Sequence, residues 1–324
     1  MNTKRTIKIL LSIIMLTVVA SSGSFSRLLE LVLSISPLTW LFVVVGYTCG
    51  QMISSVKWWL IAREGGIATP YSSALRAYFI GMFVNSFGLG LLGGDAARGI
   101  LISRGMPRKV EGLASVAADR IHGLLVLSFI ATMSLFFLDP GQLRGEFAAG
   151  LIGIFVTLLL VWIFAPSTLR LLSGRSPRRP LFEKFLRVAE MFPRKPKTFC
   201  LITALSFIFH MVQISLHAVM AYAVGASIPW PTLLVIIPIV NIASSLPISW
   251  QGLGVREYAY NKFLVPAFLS TEQVVIFGAL WLCSIMSMSA IGGVVALLSD
   301  DLKVLKAIRS DPEPLSTSLA DDPA

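Results

Sequence analysis

Long apolar runs separated by short polar connectors fill most of this chain. Runs near residues 7–22, 38–62, 114–138, 147–165, 198–224 and 273–298 approach the ~20 residues that a helix needs to cross a bilayer. Two further segments, 72–94 and 231–268, are apolar but interrupted by Gly, Pro, Asn and charge. A helix broken inside hydrocarbon must satisfy its freed backbone groups against protein, water or ligand, so these segments are predicted to be re-entrant hairpins. The expected fold is an all-α integral membrane protein with about six membrane-spanning helices plus two broken helical hairpins. The expected membrane domain is 1–310, with a basic cytoplasmic loop at 167–197. Prolines 177, 180, 193 and 196 discourage long helices in that loop, leaving room for a short amphipathic piece around Leu181–Phe192. The Pro-, Ser- and Asp-rich tail 311–324 is expected to be disordered.

Composition agrees with the pattern. Of 324 residues 55% are hydrophobic and 14% charged, with mean hydropathy +0.79, too little charge to cover a soluble domain of this size. The formal net charge of +10 is distributed unevenly. With the N-terminus inside, the six-span scheme puts 23 of the 27 Lys and Arg on the cytoplasmic side, leaving Arg27, Arg144, Arg256 and Lys262 outside. The positive-inside rule expects this bias, so the basic charge reports orientation and contact with anionic inner-leaflet lipid. No nucleic-acid motif combining aromatic and basic residues stands out, and no nucleic-acid partner is expected. Both termini are expected to be cytoplasmic.

Lys4, Arg5 and Lys8 precede a short apolar run and the small residues Ala20-Ser21-Ser22-Gly23, the pattern of a secretory signal. The alternative is an uncleaved first span, and the later spans keep their orientation either way. Cys49, Cys200 and Cys283 sit in apolar runs without a C-x-x-C pair, which reads as small buried hydrophobes rather than a metal or redox set. No metal and no cofactor are expected.

The candidate chemistry lies at the two breaks. The first reads Gly93-Gly94-Asp95-Ala96-Ala97-Arg98, the second Gly252-Leu253-Gly254-Val255-Arg256-Glu257. Both set glycines beside an acid and an arginine, and charge in a membrane must be paired or solvated. Glycines let backbone N–H groups turn toward a phosphate oxygen, and an arginine can grip phosphate bidentately. These eight residues (Gly93, Gly94, Asp95, Arg98, Gly252, Gly254, Arg256, Glu257) are the candidate headgroup contacts. Asp95 and Arg98 are spaced to pair on one helical turn. Arg256 and Glu257 are neighbours that point differently, so Glu257 is expected to pair elsewhere. A structural pair at the cytoplasmic interface is the alternative for Asp95–Arg98. Asp119 and Arg120 open the next span and either brace Arg98 or sit in headgroups. Tyr258 and Tyr260 read as interface aromatics. Ser206, His210, Gln213 and His217 fall on one helical face, suited to interhelical hydrogen bonds or to lining a headgroup path. The breaks lie at matching positions, 55 residues after Leu38 and 54 after Thr198, with Asn85 and Asn241 ahead of them. Each half reads span, broken hairpin, span with reversed topology, the plan of an inverted-repeat transporter.

Taken in order, these elements resemble the lysylphosphatidylglycerol synthase transmembrane, or flippase-like, family over about residues 7–300. The match runs through Lys57-Trp58-Trp59, Asn85, Gly93-Gly94-Asp95-x-x-Arg98 and Ser115-Val116-x-x-Asp119-Arg120. It continues in Leu246-Pro247-Ile248-Ser249 and Gly252-Leu253-Gly254-Val255-Arg256-Glu257. Two positions depart from the family pattern. Gly88-Leu89-Gly90 stands where a proline is usual, and Gln251-Gly252 where two glycines are common. The aminoacyl transferase domain of the best-known members does not follow, so lipid aminoacylation is not implied. The resemblance implies a lipid translocase in a bacterial cell (inner) membrane, acting on a phospholipid or other phosphate-bearing lipid. Without a G-x-x-x-x-G-K-[ST] loop, the drive would come from a gradient, a coupled ion or removal of the lipid. Two alternatives stay open. One is an intramembrane transferase using a lipid-linked donor with Asp95, Asp119 or Glu257 as base; the other is a membrane partner of a separate lipid-modifying enzyme.

Overall fold

The computed structural model describes residues 30, 33–87, 93–105, 110–138, 145–173, 180–245, 249, 251–299 and 301. They form helices α1 (Pro37–Glu64), α2 (Tyr71–Phe87), α3 (Gly93–Ile102), α4 (Val110–Ser134), α5 (Gly145–Ser173), α6 (Pro180–Glu190), α7 (Pro196–Ala223), α8 (Trp230–Ser245), α9 (Val255–Leu264) and α10 (Thr271–Leu298). No strand occurs among the described residues, and the chain is an all-α membrane protein. Five stretches are long and apolar enough to cross a bilayer: Pro37–Glu64, Val110–Phe137, Gly145–Leu171, Pro196–Ala223 and Thr271–Leu298. They match five of the six expected spans. The sixth, 7–22, lies outside the described residues, as do the signal-like N-terminus and the tail 311–324.

Local chemistry sets many of the boundaries. Proline opens α1, α6 and α7, where its missing N–H would have had no partner. Ser270 and Gln273 cap α10 reciprocally: Gln273 Oε1 takes the Ser270 N–H at 2.7 Å and Ser270 Oγ the Gln273 N–H at 3.3 Å, a capping box. Helices α1 and α7 both end on a glycine of positive φ, Gly66 and Gly225. Matching bonds close the turns, Ile67 N–H to Ala62 O at 3.0 Å and Ala226 N–H to Ala221 O at 2.9 Å. The two halves also repeat in helix length. Helices α1–α4 have 28, 17, 10 and 25 residues, and α7–α10 have 28, 16, 10 and 28. The segments 72–94 and 231–268 thus fold as pairs of a medium and a short helix, each pair packed arm to arm.

The chain divides into two compact units. One takes the described residues of Met1–Ser54, Ile121–Val161 and Thr203–Ser287, the other those of Ser55–Arg120, Trp162–Ile202 and Met288–Ala324. The first contains the α8–α9 pair. Its interior includes Tyr47 edge-on to Trp281 at 5.2 Å, Tyr260 edge-on to Phe277 at 4.9 Å, and Ala131, Leu151 and Val235 packed together. The second contains the α2–α3 pair. Its core gathers Trp58, Ala62, Ile67, Ala74, Ala77, Tyr78, Ile102 and Val116. There α2 and α3 cross where Gly81 meets Gly94, each leaving no room for a Cβ against the other's carbonyl. Small residues permit this backbone approach, a recurrent means of joining helices in lipid.

Two expectations are corrected. The loop 167–197 is largely helical: α5 continues past Pro166 to Ser173, and α7 begins at Pro196. Between them α6 forms the amphipathic piece, tied by Arg187 to Glu111 at 3.6 Å. The three cysteines are exposed on the protein surface rather than buried in it. An apolar run satisfies either hydrocarbon or protein interior, and hydropathy does not separate the two.

Candidate functional sites

Three helices bring charge together in the second unit. Lys57 projects from α1, Asp95 and Arg98 from α3, and Asp119 and Arg120 from α4. Lys57 Nζ lies 2.9 Å from Asp119 Oδ1, Arg98 Nη2 3.2 Å from Asp119 Oδ2, and Arg98 Nε 3.2 Å from Asp95 Oδ1. Arg120 closes the chain with a two-pronged grip on Asp95, Nε to Oδ2 at 3.1 Å and Nη2 to Oδ1 at 3.0 Å. Positive and negative charges therefore alternate through five residues. Lys57, Arg98 and Asp119 are buried, whereas the Arg120 side chain is 53% exposed. The Arg98 guanidinium also lies 4.9 Å from the Trp58 ring and 5.1 Å from the Tyr78 ring, favourable cation–π positions. Burial pushes the Asp95 carboxyl up, but the Arg120 and Arg98 guanidinium groups outweigh it and hold the carboxyl below the usual value.

Asn85, near the end of α2, accepts the Gly94 N–H on Oδ1 at 3.0 Å, supplying one of the acceptors that a helix start lacks. Gly93 opens α3, and Gly94 follows it within the helix without a positive φ. Gly94 serves close packing; the turn itself, 88–92, lies outside the described residues. The expected Asp95–Arg98 pair is present, and Asp119 braces Arg98. Arg120 grips Asp95 rather than Arg98.

The break in the first unit is built differently. Gln251, Gly252 and Gly254 all have positive φ, at 53°, 74° and 83°. The turn leads into α9, whose first residues include Arg256 and Glu257. Glu257 pairs with its neighbour Arg256, where pairing elsewhere was expected. Its carboxylate doubles back, Oε2 accepting the Gly254 N–H at 2.6 Å and Oε1 the Arg256 Nε–H at 3.3 Å. As the third residue of α9 it is placed to cap the helix, which neighbour directions alone do not anticipate. Both side chains are 2% exposed.

Among the described residues Arg256 Nη2 has no hydrogen-bond partner, and neither do the buried hydroxyls of Ser244 and Ser249. Ser244, near the end of α8, packs against Gly252, whose Cβ would come within 2.8 Å of the serine Cβ. Ser249 is buried within the turn. Three buried polar atoms of one hairpin are thus unbonded among the described residues, whereas most such atoms in folded proteins have a partner.

The polar stripe of α7 braces helices. His210 Nε2 lies 3.1 Å from Gly123 O. His217 Nδ1 lies 2.7 Å from Gln213 O and Nε2 2.8 Å from the Tyr260 hydroxyl. Since a carbonyl only accepts, Nδ1 carries the proton and Tyr260 donates to Nε2. Tyr260 is therefore a fully buried partner of His217, not an interface aromatic; Tyr258 is 52% exposed. Gln213 and Ser206 are buried, and Asn241 lies part-buried on α8. Leu246-Pro247-Ile248 falls outside the described residues. Among the described residues no group of three or more His, Cys, Asp or Glu side chains could hold a metal.

Sequence reasoning assigned no site role to Lys57, Trp58, Tyr78, Ser244 or Ser249. A lysine inside the apolar run 38–62 was the available signal for the first. The aromatic cage and the two serines carry no signal in their spacing.

Long apolar helices with charged residues buried at two helix breaks define a multi-pass membrane protein. The family model for the lysylphosphatidylglycerol synthase TM region matches residues 5–292, and the chain belongs to that family. Among curated proteins, none matches the chain.

Proposed function

We propose that this protein is a lipid translocase that moves a phosphate-bearing headgroup between membrane leaflets. The family points to a membrane lipid-related function, and one observation carries the finer reading: Arg256 is buried with Nη2 unbonded among the described residues, in the same hairpin that holds the unbonded hydroxyls of Ser244 and Ser249. A phosphate supplies acceptor oxygens for such donors, and guanidinium suits them geometrically. In this reading Arg256, with Gly252, Gly254 and Glu257 around it, contacts the headgroup. Arg98, held by two carboxylates and two rings, contributes only when Asp119 or Asp95 releases it. The acyl chains stay in the bilayer throughout.

The protein would sit in a bacterial cell membrane with both termini cytoplasmic, as the Lys and Arg distribution favours. Anionic inner-leaflet lipid is the proposed partner of the basic stretch 170–197, in which the amphipathic α6 carries an exposed Phe185 and a part-buried Arg187, the pattern of an interfacial helix. A separate lipid-modifying enzyme would supply or consume the lipid.

The test is reconstitution into liposomes containing fluorescent phosphatidylglycerol, with a membrane-impermeant quencher added outside. Wild-type protein should expose inner-leaflet label and Arg256→Ala should not. Equal exposure by both would refute the assigned site. Wild-type rates equal to empty liposomes, across several anionic and glycosylated lipids, would refute translocation. Product formation from a lipid-linked sugar donor would favour a transferase.

A further inference from the structure

The charge balance of the α8–α9 hairpin carries a second step, which rests on the headgroup reading of Arg256. Arg256 and Glu257 are a buried pair of opposite charges, and together they are neutral. A phosphodiester arriving at Arg256 would leave one unbalanced negative charge in a place shielded from water. Uncompensated buried charge is strongly unfavourable, and such sites gain or lose a proton instead.

Among the described residues of this unit the one other Lys or Arg is Lys262. On the α10 side Glu257 Oε1 abuts Gly278, where a Cβ would come within 2.5 Å, and α10 carries no Lys or Arg. From α7 the facing titratable group is His217, whose two nitrogens are engaged by Gln213 O and the Tyr260 hydroxyl. Tyr260, on α9 itself, is occupied by the same bond. Lys262, further along α9, is exposed and lies over the Phe147 ring at 6.0 Å. From α8 the neighbouring group is the neutral Ser244. Glu257 is thus the group whose protonation restores neutrality without moving a helix.

We infer that binding of a phosphate-bearing headgroup at Arg256 takes up one proton on Glu257. The proton comes from solvent and lands on Oε1, the oxygen freed when Arg256 turns to the phosphate. Oε2 keeps the Gly254 N–H bond, so the start of α9 stays capped. Release of the headgroup returns the proton, so a proton gradient can drive the cycle if the two events face opposite sides.

Full-length protein in detergent is titrated calorimetrically with short-chain phosphatidylglycerol, a phosphodiester whose own charge is constant over the working range. Titrations in buffers of different ionisation enthalpy report the protons exchanged. About one proton should be taken up per lipid, with affinity falling about tenfold for each pH unit of increase. Glu257→Gln should bind with neither uptake nor that pH dependence. Wild-type binding with the same enthalpy in every buffer would overturn the coupling while leaving the headgroup site standing. Uptake persisting in Glu257→Gln would overturn Glu257 as the acceptor. No binding by wild type would overturn the site and the coupling with it. If Glu257→Gln does not bind, the wild-type buffer series alone decides.

Discussion

Asp119→Asn is the most demanding test of the charge chain. The substitution keeps the shape of the side chain and removes the carboxylate that Lys57 Nζ meets at 2.9 Å and Arg98 Nη2 at 3.2 Å. Arg98 retains Asp95 and its two rings. Lys57, with 5% of its side chain exposed, retains neutral acceptors in place of the carboxylate: the main-chain carbonyl oxygen of residue 119, 3.2 Å away, and the amide oxygen of the new Asn. The cost therefore falls mainly on Lys57. Removing one partner of a buried ion pair costs about 3–5 kcal/mol, and the retained carbonyl bond places this case near ~3. At roughly 2–4 °C per kcal/mol, Asp119→Asn should lower the unfolding temperature in detergent by ~6–12 °C. Adding Lys57→Met removes the stranded cation as well, and the double variant should recover most of the loss, since apolar replacement of a buried pair is often close to neutral. Asp95→Asn provides an internal comparison. Its main partner, Arg120, is half exposed and can turn to water, so about 1 kcal/mol or less is expected. An Asp119→Asn protein melting at the wild-type temperature would refute the reasoning, as would a double variant that falls by the sum of its parts.

Three further outcomes follow from particular contacts. Gly94→Ala drives a methyl into the Gly81 carbonyl and should destabilise by about 1–3 kcal/mol, read as lower thermal stability with α2 and α3 more open to hydrogen exchange. Tyr260→Phe removes the donor to His217 Nε2 and should cost about 1–3 kcal/mol; a His217→Phe, Tyr260→Phe pair that costs less than the two changes added would show the coupling. Replacing Cys49, Cys200 and Cys283 together by Ala should shift stability by about 0.5 kcal/mol or less per site. The three side chains face outward from the protein, and a loss of several degrees per site would contradict that placement.

Hydropathy located the five long helices and both broken pairs, because crossing length and helix-breaking residues are local properties. It failed at the cysteines, since lipid and protein interior look alike to an apolar side chain. Pairing legible at helical spacing, Asp95 with Arg98, is present. Pairing that depends on tertiary approach was only partly legible: Asp119 was a candidate brace for Arg98, but its contact with Lys57 was not foreseen. Glu257 shows the converse difficulty. Neighbouring side chains diverge on an ideal helix, yet at a helix start a carboxylate can fold back to a free N–H, bringing it to Arg256. The unbonded serines lie beyond sequence reasoning, because satisfaction of a hydroxyl is decided by its surroundings.

The Lys57–Asp119 contact also constrains the order of biosynthesis. Lys57 leaves the ribosome 62 residues ahead of its partner, a wait of several seconds at about 5–20 residues per second. Until α4 emerges, its ammonium has no Asp119 to meet and depends on a long stem reaching toward the nearer interface. The buried cation of α1 is thus matched only once α4 supplies the carboxylate, and an early stop within α2 or α3 leaves a nascent chain holding an unmatched cation.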